Sequence, residues 1–407
     1  MMQPTSSQGA DKALAGIKVL DLTSVIMGPV CTQILGGYGA EVVKVESPEG
    51  DIMRHAGARC EPEMGSMFLH VNHYKKSIVI DLKSDEGRQL LWKLIPEYDV
   101  LVHNIRRDAI ERLGFGYDAV RAAKPDMIYV ALSGYGEDGP YAAKPAFDDI
   151  IQAQAGLASL YALQTGHEPA YLPSLIVDRH TGTAAAHRVL ASLFRRQACG
   201  QGEYINVPMF ETMAEFVLSD HLGGKTFDPA SEDTGYSRLL TRHRRPYRTN
   251  DGYIAAVVYN DKHWKAFFDL IGKPEMFADS RFGSASGRAS NYDAIYKYIA
   301  DVFETNTSEF WIASLTSADI PCAMVNDIAM LADDPHLKAV KFFSEYAHDR
   351  SGVKYQAVNK NTAESGHQPP GKGQHTVEVL TNHGFSNDAI EALLKSKAVY
   401  NGQQDKE

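Results

Sequence analysis

Apolar runs of five or six residues recur along the first half of this chain, each followed by a stretch whose apolar positions fall at helical spacing. Residues 17–22 read as a buried strand, and Gly28-Pro29 opens a helix with proline in its first turn. The glycines Gly36, Gly37 and Gly39 end that helix ahead of a second strand at 41–46, completing one βαβ unit. The pattern continues with a strand at 77–82, a helix at 85–95, a strand at 99–104, a short helix through Arg112, another near Ala119, and a strand at 127–132. Such alternation predicts an α/β fold with a doubly wound parallel sheet, whose ligands sit at the carboxyl ends of the strands. The crevice is then framed by residues 23–27, 46–54, 104–107 and 133–135.

Beyond Asp178 an alanine-rich helix is expected over 183–195, followed by Gly200-Gln201-Gly202 and a strand-like 204–209. An acidic, serine- and glycine-containing stretch at 228–234 breaks the pattern, and Asn250-Asp251-Gly252-Tyr253 marks a turn ahead of a strand. These breaks divide the chain into the N-terminal part of a large domain over 1–225, a smaller α+β domain over 226–321, and a segment 322–407 that returns to the large domain. Both extreme ends are polar and are expected to be irregular.

With 407 residues, 44% hydrophobic and 23% charged, the composition is that of a soluble globular protein with room for two cores. A net charge of -10 argues against a nucleic-acid-binding surface, so an anionic ligand must be met by locally placed basic residues. Cys31, Cys60, Cys199 and Cys322 are scattered and form no C-x-x-C pair. Neither a metal site nor a disulfide framework is indicated, and a cytoplasmic location fits best. No apolar run approaches membrane-spanning length, and the N-terminus lacks the layout of a secretory signal. There is no G-x-S-x-G elbow, no phosphate-binding P-loop and no H-E-x-x-H pair. The cluster Gly36-Gly37-Tyr38-Gly39 falls at the end of its helix, where it presents no N–H groups to a pyrophosphate, which disfavours a nicotinamide dehydrogenase.

The informative segment runs from Leu175 through Asp178, Thr181 and Gly182 into Ala184-Ala185-Ala186. By local pattern alone, an Asp ahead of an alanine-rich helix is an N-cap accepting a bond from an orphan N–H. A wider set of motifs changes that reading. Gly16-Ile17-Lys18-Val19-Leu20-Asp21-Leu22, Gly28-Pro29, Gly39-Ala40-Glu41-Val42-Val43-Lys44-Val45-Glu46, Asn72 with Lys75-Lys76-Ser77, Val102-His103-Asn104, Leu113-Gly114-Phe115, Ser133-Gly134-Tyr135-Gly136 and Asp178 with Thr181-Gly182 occur in the order of the class III CoA-transferase family. Later matches at Gly200-Gln201-Gly202, Asp251-Gly252-Tyr253, Ile320-Pro321-Cys322 and Asp334-Pro335 carry the resemblance from about residue 15 to near the end. The chain resembles that family, which includes formyl-CoA transferase, carnitine CoA-transferase and 2-methylacyl-CoA racemase.

The resemblance implies an enzyme whose nucleophile is the carboxylate of Asp178, held as an anion by the helix terminus and carrying acyl groups and CoA as a mixed anhydride and an aspartyl-CoA thioester. CoA and acyl-CoA are then substrates, with no permanently bound cofactor and no metal. It also implies an interlocked homodimer. By position, Ser24, Val25, Ile26 and Met27 would line the pantetheine arm, and Asn104, Ile105 and Arg112 match family contacts to CoA. Tyr135 stands at the same crevice; Lys75, Lys76, Arg106 and Arg107 are candidates for the phosphates, each with a solvated face as the competing reading.

Racemases of the family use a histidine where this chain has Asp148, which resembles the acidic residue of formyl-CoA transferase and makes Asp148 the second catalytic candidate. A racemase or isomerase of the same fold and a non-catalytic CoA-binding protein remain the alternatives, with His180 a candidate substitute base whose competing reading is a first-turn helix residue. The cluster around Arg245 and Arg248 suggests a site for the distal carboxylate of a dicarboxylic acceptor, against a solvated loop or dimer contact. No glycine-rich active-site loop like that of formyl-CoA transferase is found.

Overall fold

The computed structural model describes residues 12–59, 61–348, 352–358 and 368–402. Cys60, most of the polar N-terminal stretch and the last residues of the tail lie outside them. Two compact units are present, one built from 1–155, 173–215 and 338–407, the other from 156–172 and 216–337.

The larger unit is built on a seven-stranded sheet. Its parallel strands are β1 (Lys18–Leu22), β2 (Glu41–Glu46), β3 (Lys75–Ile80), β4 (Val100–His103), β5 (Ile128–Ser133) and β6 (Glu203–Pro208), in the order 3-2-1-4-5-6. This is the doubly wound topology the alternation predicts. The chain reverses its direction of travel across the sheet between β1 and β4, where Val19 pairs with Val100 and Leu22 with His103. A crevice opens beyond the carboxyl ends at such a switch point. Both faces of the strands are covered, which is why they read as near-continuous apolar runs.

Two helices matter for the site. Helix α1 (Met27–Gly37) follows β1 and ends in the glycines, with Gly39 at φ +104. Helix α2 (Ile176–Cys199) is longer than the expected 183–195, because its first turn already contains Asp178. It stops at Gly200, whose left-handed φ of 68° costs a glycine little.

The tail returns to this unit: Val399–Tyr400 pairs antiparallel with β3, and Arg54 donates to the Pro370 carbonyl while forking onto Glu46. The second unit packs helices around Trp264, Phe267, Phe268, Phe303 and Trp311 against a small antiparallel sheet of Tyr247–Arg248, Tyr253–Ala256 and Cys322–Met324. Its boundaries differ from the expected 226–321. Cys322–Met324 is a strand of the small sheet, so the return to the large unit comes at residue 338, and 156–172 joins the small unit from far earlier in the chain. Contacts of that kind leave no mark on local composition.

Candidate active site

Asp178 lies in the first turn of α2, at 8% exposure, on the stripe that also carries Thr181, Gly182, Ala185 and Ala186. A position four residues on faces the same way, about 6 Å along the axis. Gly182 therefore reports what the Asp178 face meets: a Cβ there would stand 2.3 Å from the Met27 carbonyl oxygen and 3.0 Å from Val30 Cβ. The glycine is needed for this approach. It sets α2 against the first turn of α1 and brings Asp178 to the carboxyl end of the sheet.

Asp178 is not the helix cap. It is the third helical residue after Leu175, and its own N–H donates to Asp148 Oδ2 at 3.0 Å. Asp148, 4% exposed, thus satisfies an orphan donor of α2 from outside the helix, while its Oδ1 accepts from Gln152 Nε2 at 2.7 Å. The two carboxylates are held as neighbours by this bond. Burial, with the Asp148 charge added to it, pushes the Asp178 carboxyl up to about 7 from 3.8, against a smaller opposing effect of Arg179. The expectation of an anion settled by the helix terminus is corrected accordingly: desolvation and a like charge outweigh it.

The loop from Thr23 to Met27 joins β1 to α1. The Asn104 side chain spans the switch point to hold it, accepting from Ser24 N–H at 3.0 Å and donating to the Ser24 carbonyl at 2.8 Å. Both ends of the amide are used, so Asn104 positions the loop. Ile26 and Met27 turn their side chains into the core, leaving Ser24 and part of Val25 at the surface of the crevice. Any contact from Ile26 or Met27 to a ligand is left to their backbone. Ile105 is half-buried against the core, and its carbonyl lies 3.2 Å from His103 Nδ1.

Two expected ligand contacts are overturned. Lys75 is buried, with its ammonium 3.1 Å from Asp21 and bonded to Asn72 Oδ1 and the Pro29 carbonyl, so it has no face to turn toward a phosphate. Tyr135 is 3% exposed and gives its hydroxyl to Gln154 at 2.6 Å. Lys75 is turned inward by strand alternation and Tyr135 by the bend that follows β5, neither of which a residue type alone reveals. Lys76 is shared between Glu41 and Glu378, and Arg107 between Glu111 and Glu137. Arg106 and Arg112 are exposed and have no ion-pair partner among the described residues. Arg245 and Arg248, on the smaller unit, are likewise exposed and unpaired among those residues.

Sequence reasoning missed Asp51. Its Oδ1 accepts from Val25 N–H at 3.2 Å and Met53 N–H at 3.0 Å, and its Oδ2 is 2.9 Å from Lys44 Nζ. The strand pattern places 46–54 and 23–27 at one crevice, but nothing in the local sequence singles out Asp51 as the residue that bonds the Val25 N–H.

Doubly wound α/β sheets carry their ligand sites at the carboxyl edge, and here that edge holds a buried pair of hydrogen-bonded aspartates. Residues 14–376 match the model of CoA-transferase family III. The chain is 32% identical to an acyl-CoA transferase of Fusarium pseudograminearum, over 96% of this chain and 88% of that protein. It is 31% identical to (R)-2-hydroxy-4-methylpentanoate CoA-transferase of Clostridioides difficile, over 95% and 99% respectively. The crystal structure of Rv3272 from Mycobacterium tuberculosis superimposes with a TM-score of 0.75 at 27% identity, covering 90% of this chain and 98% of that one. The chain belongs to CoA-transferase family III, and it is an enzyme of that class.

Proposed function

We propose that this enzyme moves CoA from an acyl-CoA donor to a carboxylic acid through covalent intermediates on Asp178. The observation that carries the reading is the buried Asp178 carboxyl, raised to about 7 beside Asp148 at the carboxyl edge of the sheet. A carboxylate stripped of water is a stronger nucleophile than an exposed one, and ionisation near neutrality supplies it without a metal or a second base.

Asp178 attacks the donor's thioester carbonyl, and the C–S bond breaks to leave an aspartyl mixed anhydride and CoA thiolate. The thiolate attacks the aspartyl carbonyl, expelling the donor's carboxylate and forming aspartyl-CoA thioester. The acceptor carboxylate repeats the first step on that thioester, and the thiolate then takes the acceptor's acyl group and frees Asp178. One thioester is exchanged for another. Asp148 keeps the Asp178 backbone in place and raises its basicity.

Arg112 and Arg106, being unpaired, are the residues best suited to CoA's phosphates, with Arg107 behind them because two glutamates already engage it. For the acceptor, a dicarboxylic acid fits the two unpaired guanidiniums of Arg245 and Arg248, each able to fork onto a carboxylate. One relative in the comparison, from Haloarcula hispanica, is named succinyl-CoA:mesaconate CoA-transferase. Location in the cytoplasm and an interlocked homodimer complete the proposal; sedimentation at twice the mass of one chain tests the dimer.

The decisive experiment incubates the enzyme with acetyl-, isobutyryl-, hexanoyl- and succinyl-CoA, traps with hydroxylamine and maps peptides by mass spectrometry. A CoA or hydroxamate mass on the Asp178 peptide is the expected result. Full transfer by Asp178→Ala would sink the mechanism.

A further inference from the structure

Val25 has a backbone φ of +72° in a position that bears a β-branched side chain. Valine is among the residues least suited to that region, where its branched Cβ crowds the backbone, and such geometry persists only where surrounding structure imposes it. The restraints are visible. Asp51 accepts the Val25 N–H, Lys44 Nζ donates to the Thr23 carbonyl at 2.7 Å while ion-paired with Asp51, and Asn104 clasps the backbone N–H and carbonyl of Ser24. Three consecutive residues are thus tied to side chains from three other parts of the chain.

Asp51 is the centre of this arrangement. It is 3% exposed, Lys44 is fully buried, and the Asp51 N–H is itself fixed by Glu46 Oε2 at 3.0 Å. The strained residue leads directly into the first turn of α1, whose Met27 carbonyl lies against the Asp178 helix at Gly182.

We infer that Asp51 is a positioning residue for CoA transfer, holding Val25 in a left-handed conformation so that the Ser24–Met27 loop presents its backbone to the thioester beside Asp178. This rests on the function proposed above. A loop held in place meets the reacting group without reorganising, whereas a loop relaxed to negative φ at Val25 turns its peptide groups elsewhere.

The test uses the full chain and the acyl-CoA from the panel that labels Asp178 fastest. Asp51→Ala is expected to lower the labelling rate at saturating acyl-CoA by about tenfold or more while KM moves less. Asp51→Asn keeps an oxygen at the Oδ1 position and is expected to stay within about threefold of wild type. The discriminating variant is Val25→Gly in the Asp51→Ala background. Glycine adopts positive φ freely, so the double variant should recover most of the lost rate, which a purely structural role for Asp51 does not predict. If Asp51→Ala does not fold, Lys44→Met/Asp51→Leu removes both buried charges together, and the same rescue by Val25→Gly is measured in that background. A folded acceptor-less variant with wild-type rate, or a Val25→Gly combination no faster than its parent, overturns the inference. Failure of wild type to label Asp178 with any acyl-CoA overturns instead the function on which it rests.

Discussion

At Asp178 the buried carboxyl acts on stability and, under the mechanism proposed above, on chemistry in opposite senses. Its pKa is raised to about 7 by burial and by Asp148, so ionisation in the folded state comes late. Transfer rate is expected to climb through about pH 7 with the slope of a single ionisation. Replacing Asp148 with Asn, which removes the neighbouring charge but keeps an acceptor for the Asp178 N–H, should move that rise to lower pH; an unmoved profile would show that Asp148 exerts no such influence. The same shift acts on folding. Below about pH 4 the group is neutral whether folded or unfolded, and between there and pH 7 only the unfolded chain ionises, so stability falls as pH rises. Asp178→Asn should therefore be more stable than wild type above pH 8, by on the order of 1–4 kcal/mol, with the gain vanishing near pH 4. Urea unfolding at the two pH values measures it.

At the scale of elements, the placement of Asp178 depends on how closely two helices approach. Gly182→Ala places a methyl 2.3 Å from the Met27 carbonyl oxygen, a backbone atom that moves only if α1 or α2 moves. Overpacking of this kind is expected to cost about 1–3 kcal/mol, and by displacing the first turn of α2 it should lower the transfer rate more than it raises KM. Gly28, in the first turn of α1, makes a parallel demand against the loop, since a Cβ there would overlap Thr23 at 2.3 Å. Asn104→Ala frees the backbone N–H and carbonyl of Ser24 at the switch point, and loss of these two bonds should cost about 1–3 kcal/mol. Denaturation midpoints and steady-state kinetics on the two variants separate packing from loop anchoring: Gly182→Ala moves Asp178, the proposed nucleophile, and Asn104→Ala the loop at the switch point.

For the large unit as a whole, the buried charges set the response to acid. Burial alone would raise Asp21, but Lys75, Lys44 and the hydroxyls of Thr23 and Thr32 outweigh it and hold the carboxyl at about 2. Glu46 is likewise held at about 2, its burial overcome by Arg54, Lys44 and Ser77. Depressed carboxylates contribute stability that is complete above the unfolded value near 4 and is lost as pH falls toward 2. The protein is expected to unfold cooperatively in that window, a slope opposite in sign to the one Asp178 imposes near neutrality. Circular dichroism across pH 2 to 5 checks it, and Asp21→Asn should weaken the dependence while lowering stability at pH 7, because Lys75 is left buried without its partner.

The alternation of apolar runs determined the doubly wound sheet, since a strand covered on both faces must be apolar throughout and a crossover helix must show a helical stripe. Ordered motifs determined the family and singled out Asp178. Which lysine faces a ligand was decided only by folding: Lys75 and Lys76 are adjacent in sequence, yet strand alternation sends one ammonium into the core to Asp21 and the other to the surface. The division into units was also beyond local reading, because 156–172 and 322–337 join the smaller unit through contacts distant along the chain. The Asp178 environment belongs to the same class. Its raised pKa comes from a burial that Gly182 permits and, less, from Asp148, 30 residues away. A sequence records which groups are present; desolvation and distance, which govern their charge and reactivity, exist only once the chain has folded.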